Sequence, residues 1–90
     1  MEIYKAKHIL ISEEDDIEYI KEQIDSGKSF EDMAKEFSEC DTASNGGDLG
    51  TFSSGTMVAE FEKALYFMQV GEIKYGVKTK FGYHIIHRIK

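Results

Sequence analysis

Ninety residues, 41% apolar and 31% charged, are expected to form one domain, and a chain this short buries only about 60–65% of its unfolded surface. Eleven Lys and Arg against 17 Asp and Glu leave a net charge of −6, which weighs against sequence-independent nucleic-acid binding. One cysteine excludes an intramolecular disulfide and any zinc or iron–sulfur site built on several cysteines.

No apolar run approaches the roughly 18 residues that read as a membrane span. The start, Met1-Glu2-Ile3-Tyr4-Lys5, lacks a basic region followed by a long apolar one, so the expectation is a soluble, cytoplasmic chain with no membrane partner. The charge is lopsided. Residues 1–48 carry 14 acids and 5 bases, a net of −9, whereas residues 49–90 carry 3 acids and 6 bases, a net of +3. The first half reads as acidic, solvated helices and the second as a mildly basic sheet region. There is no proline at all.

Residues 3–11 (IYKAKHILI) alternate as a strand, with Tyr4, Ala6, His8 and Leu10 on one face and Ile3, Lys5, Lys7, Ile9 and Ile11 on the other. Its end is apolar on both faces, which predicts a central strand covered on both sides. Ser12 followed by Glu13-Glu14-Asp15-Asp16 reads as a helix start, a hydroxyl cap with carboxylates in the first turn. Ile17, Ile20 and Ile24 supply the apolar stripe and Gly27 the stop. A second helix begins at once, with Ser29 as cap, Asp32 at its third position, and Phe30, Met33, Ala34 and Phe37 as its stripe.

Residues 40–56 lose periodicity and carry four glycines, so turns are expected there, with a short strand at residues 49–52. Residues 57–68 regain the helical period through Met57, Phe61, Leu65 and Met68. Residues 77–80 and 83–89 read as a terminal hairpin turned near Phe81-Gly82, with Tyr83, Ile85, His87 and Ile89 opposite His84, Ile86 and Arg88.

The glycines match neither a dinucleotide-binding nor a P-loop pattern, and turns explain them better. His84 and His87 lie three apart in an expected strand, so they point to opposite faces and cannot chelate together. A metal site from His8, Cys40 and His84 is geometrically open, but no spacing specifies it. Cys40 with a histidine could also form a thiol-protease pair, although 90 residues leave little room for its cleft and oxyanion hole. Taken singly, each histidine reads as a half-buried, hydrogen-bonded side chain and Cys40 as a small buried hydrophobe.

Several motifs agree in order. His8-Ile9-Leu10-Ile11, Phe37-Ser38-Glu39-Cys40 and Gly46-Gly47-Asp48-Leu49-Gly50-Thr51-Phe52 are followed by Gly55-Thr56-Met57-Val58 with Phe61-Glu62-Lys63-Ala64. Gly71-Glu72-Ile73, Val77-Lys78-Thr79 and Phe81-Gly82-Tyr83-His84-Ile85-Ile86 complete the series. Over essentially its whole length the chain resembles the parvulin family of peptidyl-prolyl cis/trans isomerases. The resemblance implies an α+β fold, a four-stranded antiparallel sheet surrounded by four helices in the order β-α3-β-α-β2. It implies rotation about the bond preceding proline in proline-containing polypeptides, assisting protein folding. No cofactor or metal is expected, and because nothing in the sequence suggests an obligate interface a monomer is expected.

By the same resemblance His8, Cys40, Thr79 and His84 match the catalytic positions, and Leu49, Met57, Phe61 and Phe81 the proline pocket and its rim. Cys40 is assigned to the electrostatics around the substrate carbonyl rather than to attack. His8, His84 and Thr79 are assigned to a buried network that orients it. His87 is expected to be structural. The family commonly has proline where this chain has Ala59 and Gly76, and the second change is expected to loosen a loop at residues 74–76. Phosphate-selective members carry an arginine-rich loop after the first strand. Here residues 12–16 are acidic, so no phospho-specificity is expected. The alternative is a chaperone-like module that binds peptides in the same groove without catalysis.

Overall fold

The computed structural model describes residues 2–90. Strand β1 (Ile3–Ile11) is followed by helices α1 (Asp15–Asp25) and α2 (Phe30–Phe37), a five-residue 3-10 helix (Asp41–Asn45) and strand β2 (Asp48–Ser53). Helix α3 (Ala59–Phe67) and strands β3 (Ile73–Thr79) and β4 (Gly82–Arg88) complete the chain. The strands form one antiparallel sheet in the order β2-β1-β4-β3. This is the expected α+β architecture with one difference. The fourth helix is a 3-10 turn, because a run of Asp, Thr, Ala, Ser and Asn ending in the left-handed Gly46 has little helix propensity.

Each face of the sheet carries its own core. Under α3, Tyr4, Ala6, Phe52, Val77 and Ile86 pack against Phe61, Leu65 and Met68. On the opposite face, Ile9, Ile11 and Ile85 pack against Ile20 of α1 and Phe30, Met33 and Ala34 of α2. The alternation of β1 produces this division, since its even positions face α3 and its odd ones face α1 and α2. As expected, its C-terminal half is buried on both sides, with Ile9 at 0% and His8 at 5% exposure.

Two bulges aim the side chains that matter for function. In a regular strand Ile73, Tyr75, Val77 and Thr79 would share one face. The β3–β4 register slips between Lys74 and Val77, where Gly76 takes φ +80°. Ile73 and Tyr75 therefore pack with the α1/α2 core, Val77 with the α3 core, and Thr79 reaches His84. The β1–β2 register slips in the same way around Gly50, φ +71°, so Leu49 joins Phe52 on the α3 side although they lie three positions apart. Residues 74–76 are thus a bulge inside a paired strand, not the loose loop expected from the sequence.

The helix starts divide into a success and a correction. Ser29 caps α2, its hydroxyl accepting from the Asp32 N–H at 3.0 Å. Ser12 caps nothing. Helix α1 starts three residues later, flanked by Glu14 with no side-chain cap, while the Ser12 N–H and hydroxyl both donate to Glu39 at 2.9 Å. Met57 also lies ahead of α3, whose N-cap is the extended Val58. No helix among the described residues is long and apolar enough to cross a membrane.

Candidate active site

Antiparallel pairing sets Leu10 opposite His84 and His8 opposite Ile86, so the two histidines sit diagonally on the α3 face. Their rings stack with centroids 5.2 Å apart and Nδ1 atoms 3.0 Å apart. Thr79 Oγ1 lies 2.7 Å from His84 Nε2 and accepts from the Phe81 N–H at 3.1 Å. All three side chains are buried.

Only one proton fits between two facing Nδ1 atoms. If His8 donates, His84 carries its proton on Nε2 and donates to Thr79. If His84 donates, the Thr79 hydroxyl donates to His84 Nε2. Either tautomer leaves His8 Nε2 buried without a partner among the described residues. Burial, and then the neighbouring His84, push the His8 pKa down to about 4, and burial lowers that of His84. At neutral pH the network therefore carries no charge.

Phe61, only 2% exposed, stands edge-on to both imidazoles, with centroids 5.7 Å from His8 and 5.4 Å from His84. It forms the floor of an apolar concavity of about 250 Å³. Leu49, Met57 and Val58 make one wall, Leu10 and Cys40 another, and Phe81 the exposed rim. The histidine pair closes the back. Every site residue named from the sequence is at this concavity except Thr79, which stands behind His84.

Sequence reading missed four contributors. Leu10 was legible in principle, since it shares the alternation of His8. Val58 had no periodic signal because it precedes its helix. Ser38 Oγ accepts from the Leu10 N–H at 3.0 Å and the Cys40 N–H at 3.4 Å, holding two wall residues together. Glu62 reaches back from α3 to accept from the Gly55 and Met57 N–H groups, both at 2.7 Å, and so fixes the backbone of Met57. These bonds, that from Gly55 foremost, hold the Glu62 carboxyl below its usual pKa.

One expectation is corrected. Among the described residues the Cys40 thiol makes no hydrogen bond to either histidine, and Cys40 is held through its backbone by Ser38. His87 points to the other face, as strand parity required, with its ring 5.5 Å from that of Phe30. The mutual bond of His8 and His84 occupies both Nδ1 atoms and Thr79 takes His84 Nε2, which leaves His84 no nitrogen for a shared metal. No group of three or more His, Cys, Asp or Glu side chains converges among the described residues.

Comparison with known proteins agrees with this geometry. The family model of the PPIC-type PPIase domain, a rotamase, matches residues 8–90. The PrsA foldase of Geobacillus kaustophilus is 49% identical over 83 residues, covering 91% of this chain and 30% of that protein. The crystal structure of PrsA from Bacillus subtilis superposes with a TM-score of 0.92 at 40% identity, covering 98% of this chain and 35% of that one. The solution structure of NmPin, the parvulin of Nitrosopumilus maritimus, gives a TM-score of 0.88 at 41% identity, covering 100% of this chain and 98% of that one. The chain belongs to the PPIC-type peptidyl-prolyl isomerase domains, the parvulins. It spans about a third of its PrsA relatives and nearly all of NmPin.

Proposed function

We propose that this chain accelerates cis/trans rotation about X–Pro bonds in polypeptides without a covalent intermediate, through the concavity over Phe61. Resonance holds the peptide bond planar behind a barrier of about 18–20 kcal/mol. The two X–Pro isomers are close in energy, so the obstacle is kinetic. At the twisted geometry conjugation is lost and the amide is less polar. A pocket that strips water from the prolyl ring therefore favours the twisted state over the planar one. Leu49, Met57, Val58 and Phe61 offer that surface. The histidine pair behind them is uncharged at neutral pH and so places no ionic group against the prolyl ring. A thousandfold acceleration needs a barrier lower by only about 4 kcal/mol.

The observation that carries the reading is this one apolar concavity, with Met57, Phe61 and Leu49 converging beside Cys40. Cys40 is assigned to the polarity around the carbonyl preceding proline, and Thr79 and the histidines to holding the wall. No Lys or Arg lines the concavity and residues 12–16 are acidic, which supports a site that does not select phosphorylated residues. Relatives named as foldases support a role in protein folding.

The same reading takes the chain to act as a monomer without nucleic-acid or membrane partners, in the cytoplasm. The net charge of −6 supports the first exclusion, and an unpaired Cys40 fits a reducing compartment. NMR exchange spectroscopy on an X–Pro tetrapeptide tests the proposal. Accelerated exchange supports catalysis, whereas shift changes without it indicate a peptide-binding chaperone module.

A further inference from the structure

Resting on the reading of the concavity as a prolyl site, we propose that Asp48 is a positioning residue for that site. Its side chain closes a turn around Leu49 and sets the reach of Leu49 into the concavity. Leu49 lines the concavity from a stretch where the sheet ladder does not hold the backbone. The β1–β2 register passes from Lys5 opposite Thr51 to Lys7 opposite Asp48, which leaves Leu49 and Gly50 outside the paired positions. Asp48 Oδ1 accepts from the Gly50 N–H at 2.8 Å and so bridges that gap. A carboxylate bonded to the backbone two residues on forms an Asx turn, and the residue it brackets here is Leu49.

The turn starts from a fixed point. Gly47, just before it, accepts the His8 N–H at its carbonyl at 2.9 Å. A Cβ on Gly47 would come within 2.3 Å of the His8 carbonyl oxygen, so only glycine lets the chain start β2 this close to the histidine. The Leu49 wall and the His8 back of the concavity are thereby joined through a short length of backbone and one side-chain bond. The Asp48 charge enters no ion pair. Lys7 stands opposite it in register, but its ammonium bonds Glu31 at 2.7 Å, and the ion pairs among the described residues are Lys7–Glu31 and Lys21–Asp25. Asp48 therefore acts by geometry, as an acceptor at one place, which a neutral amide oxygen also supplies.

The test is a double-mutant cycle on the exchange of Ala-Leu-Pro-Ala, with circular dichroism checking each fold. Asp48→Ala is expected to lower kcat/KM about threefold to tenfold, the worth of one hydrogen bond. Asp48→Asn, which keeps the acceptor and drops the charge, is expected to retain most of the parent's kcat/KM. Asp48→Glu, which keeps the charge and moves the acceptor by one methylene, is expected to lose as Asp48→Ala does. Leu49→Ala lowers activity by itself, and adding Asp48→Ala to it is expected to cost less than about twofold more, because Asp48 acts through Leu49. A merely structural Asp48 would cost the same factor with Leu49 or with alanine beside it. If Asp48→Ala does not fold, Asp48→Glu takes its place in the cycle. Asp48→Ala as active as the parent, Asp48→Asn as poor as Asp48→Glu, or equal losses in both backgrounds overturns the inference alone, provided the unaltered protein accelerates the peptide. Failure of the unaltered protein to accelerate it overturns the isomerase reading and this inference with it.

Discussion

Acidification should unfold this protein in a window set by its buried histidines. An unfolded His8 takes up a proton as the pH falls below 6.5, whereas the folded one resists until about 4. The unfolded state therefore binds more protons between those values, and stability falls as the pH drops through them. The stabilisation is complete above 6.5 and exhausted near 4. That gap corresponds to about 3 kcal/mol from His8 alone. His84 and His87, also lowered chiefly by burial, act in the same direction. Glu31 and Glu62, held low by the Lys7 bond and the Gly55 N–H respectively, add losses only once the pH falls below about 4.5. Urea unfolding at half-unit steps between pH 7.5 and 4.5 isolates the histidines. His8→Asn keeps a polar atom near Nδ1 but cannot titrate, and should flatten the slope by His8's share. A flat profile above pH 4.5, or equal slopes in protein and variant, would refute the reasoning.

Other outcomes follow from the same geometry. Met57→Ala should lower kcat/KM at least about tenfold, or ~1.4 kcal/mol, with little change in melting, because Met57 lines the wall ahead of the helix. Phe61→Ala should also lower activity strongly but lose about 3–5 kcal/mol of stability, because the ring is core as well as floor. Paired rate and melting measurements separate the two. Ala59→Pro should stabilise by about 0.4–1 kcal/mol, since residue 59 opens α3 after an extended Val58 (φ −63°, ψ 151°). Gly76→Pro should instead destabilise by more than about 1 kcal/mol, because proline cannot adopt φ +80°. Chemical denaturation checks both signs. Glu62→Gln should raise KM more than it lowers kcat by loosening the Met57 backbone, which steady-state kinetics resolves.

The elements with a strong period were legible in the sequence. Strand β1, the stripe of α2 with its Ser29 cap, and the opposite facing of His84 and His87 follow from spacing alone. Features set by distant partners were not. Ser12 looks like a helix cap, but its N–H and hydroxyl both donate to the Glu39 carboxylate, 27 residues away, and the helix starts at Asp15 instead. The two bulges were hidden because a glycine in a strand signals a kink without saying which face the next residue takes. The concavity itself was visible only through the family resemblance, since Leu49, Met57 and Phe81 share no period. Ser38 and Glu62 act through backbone N–H groups that no side-chain pattern shows.

The most direct measurement is the exchange rate of the neutral peptide Ala-Leu-Pro-Ala with catalytic amounts of the chain, before and after Met57→Ala. The account predicts clear acceleration by the unaltered protein and a large loss in the folded variant. An unaccelerated peptide, or a variant as active as its parent, would contradict an apolar prolyl pocket as the origin of catalysis.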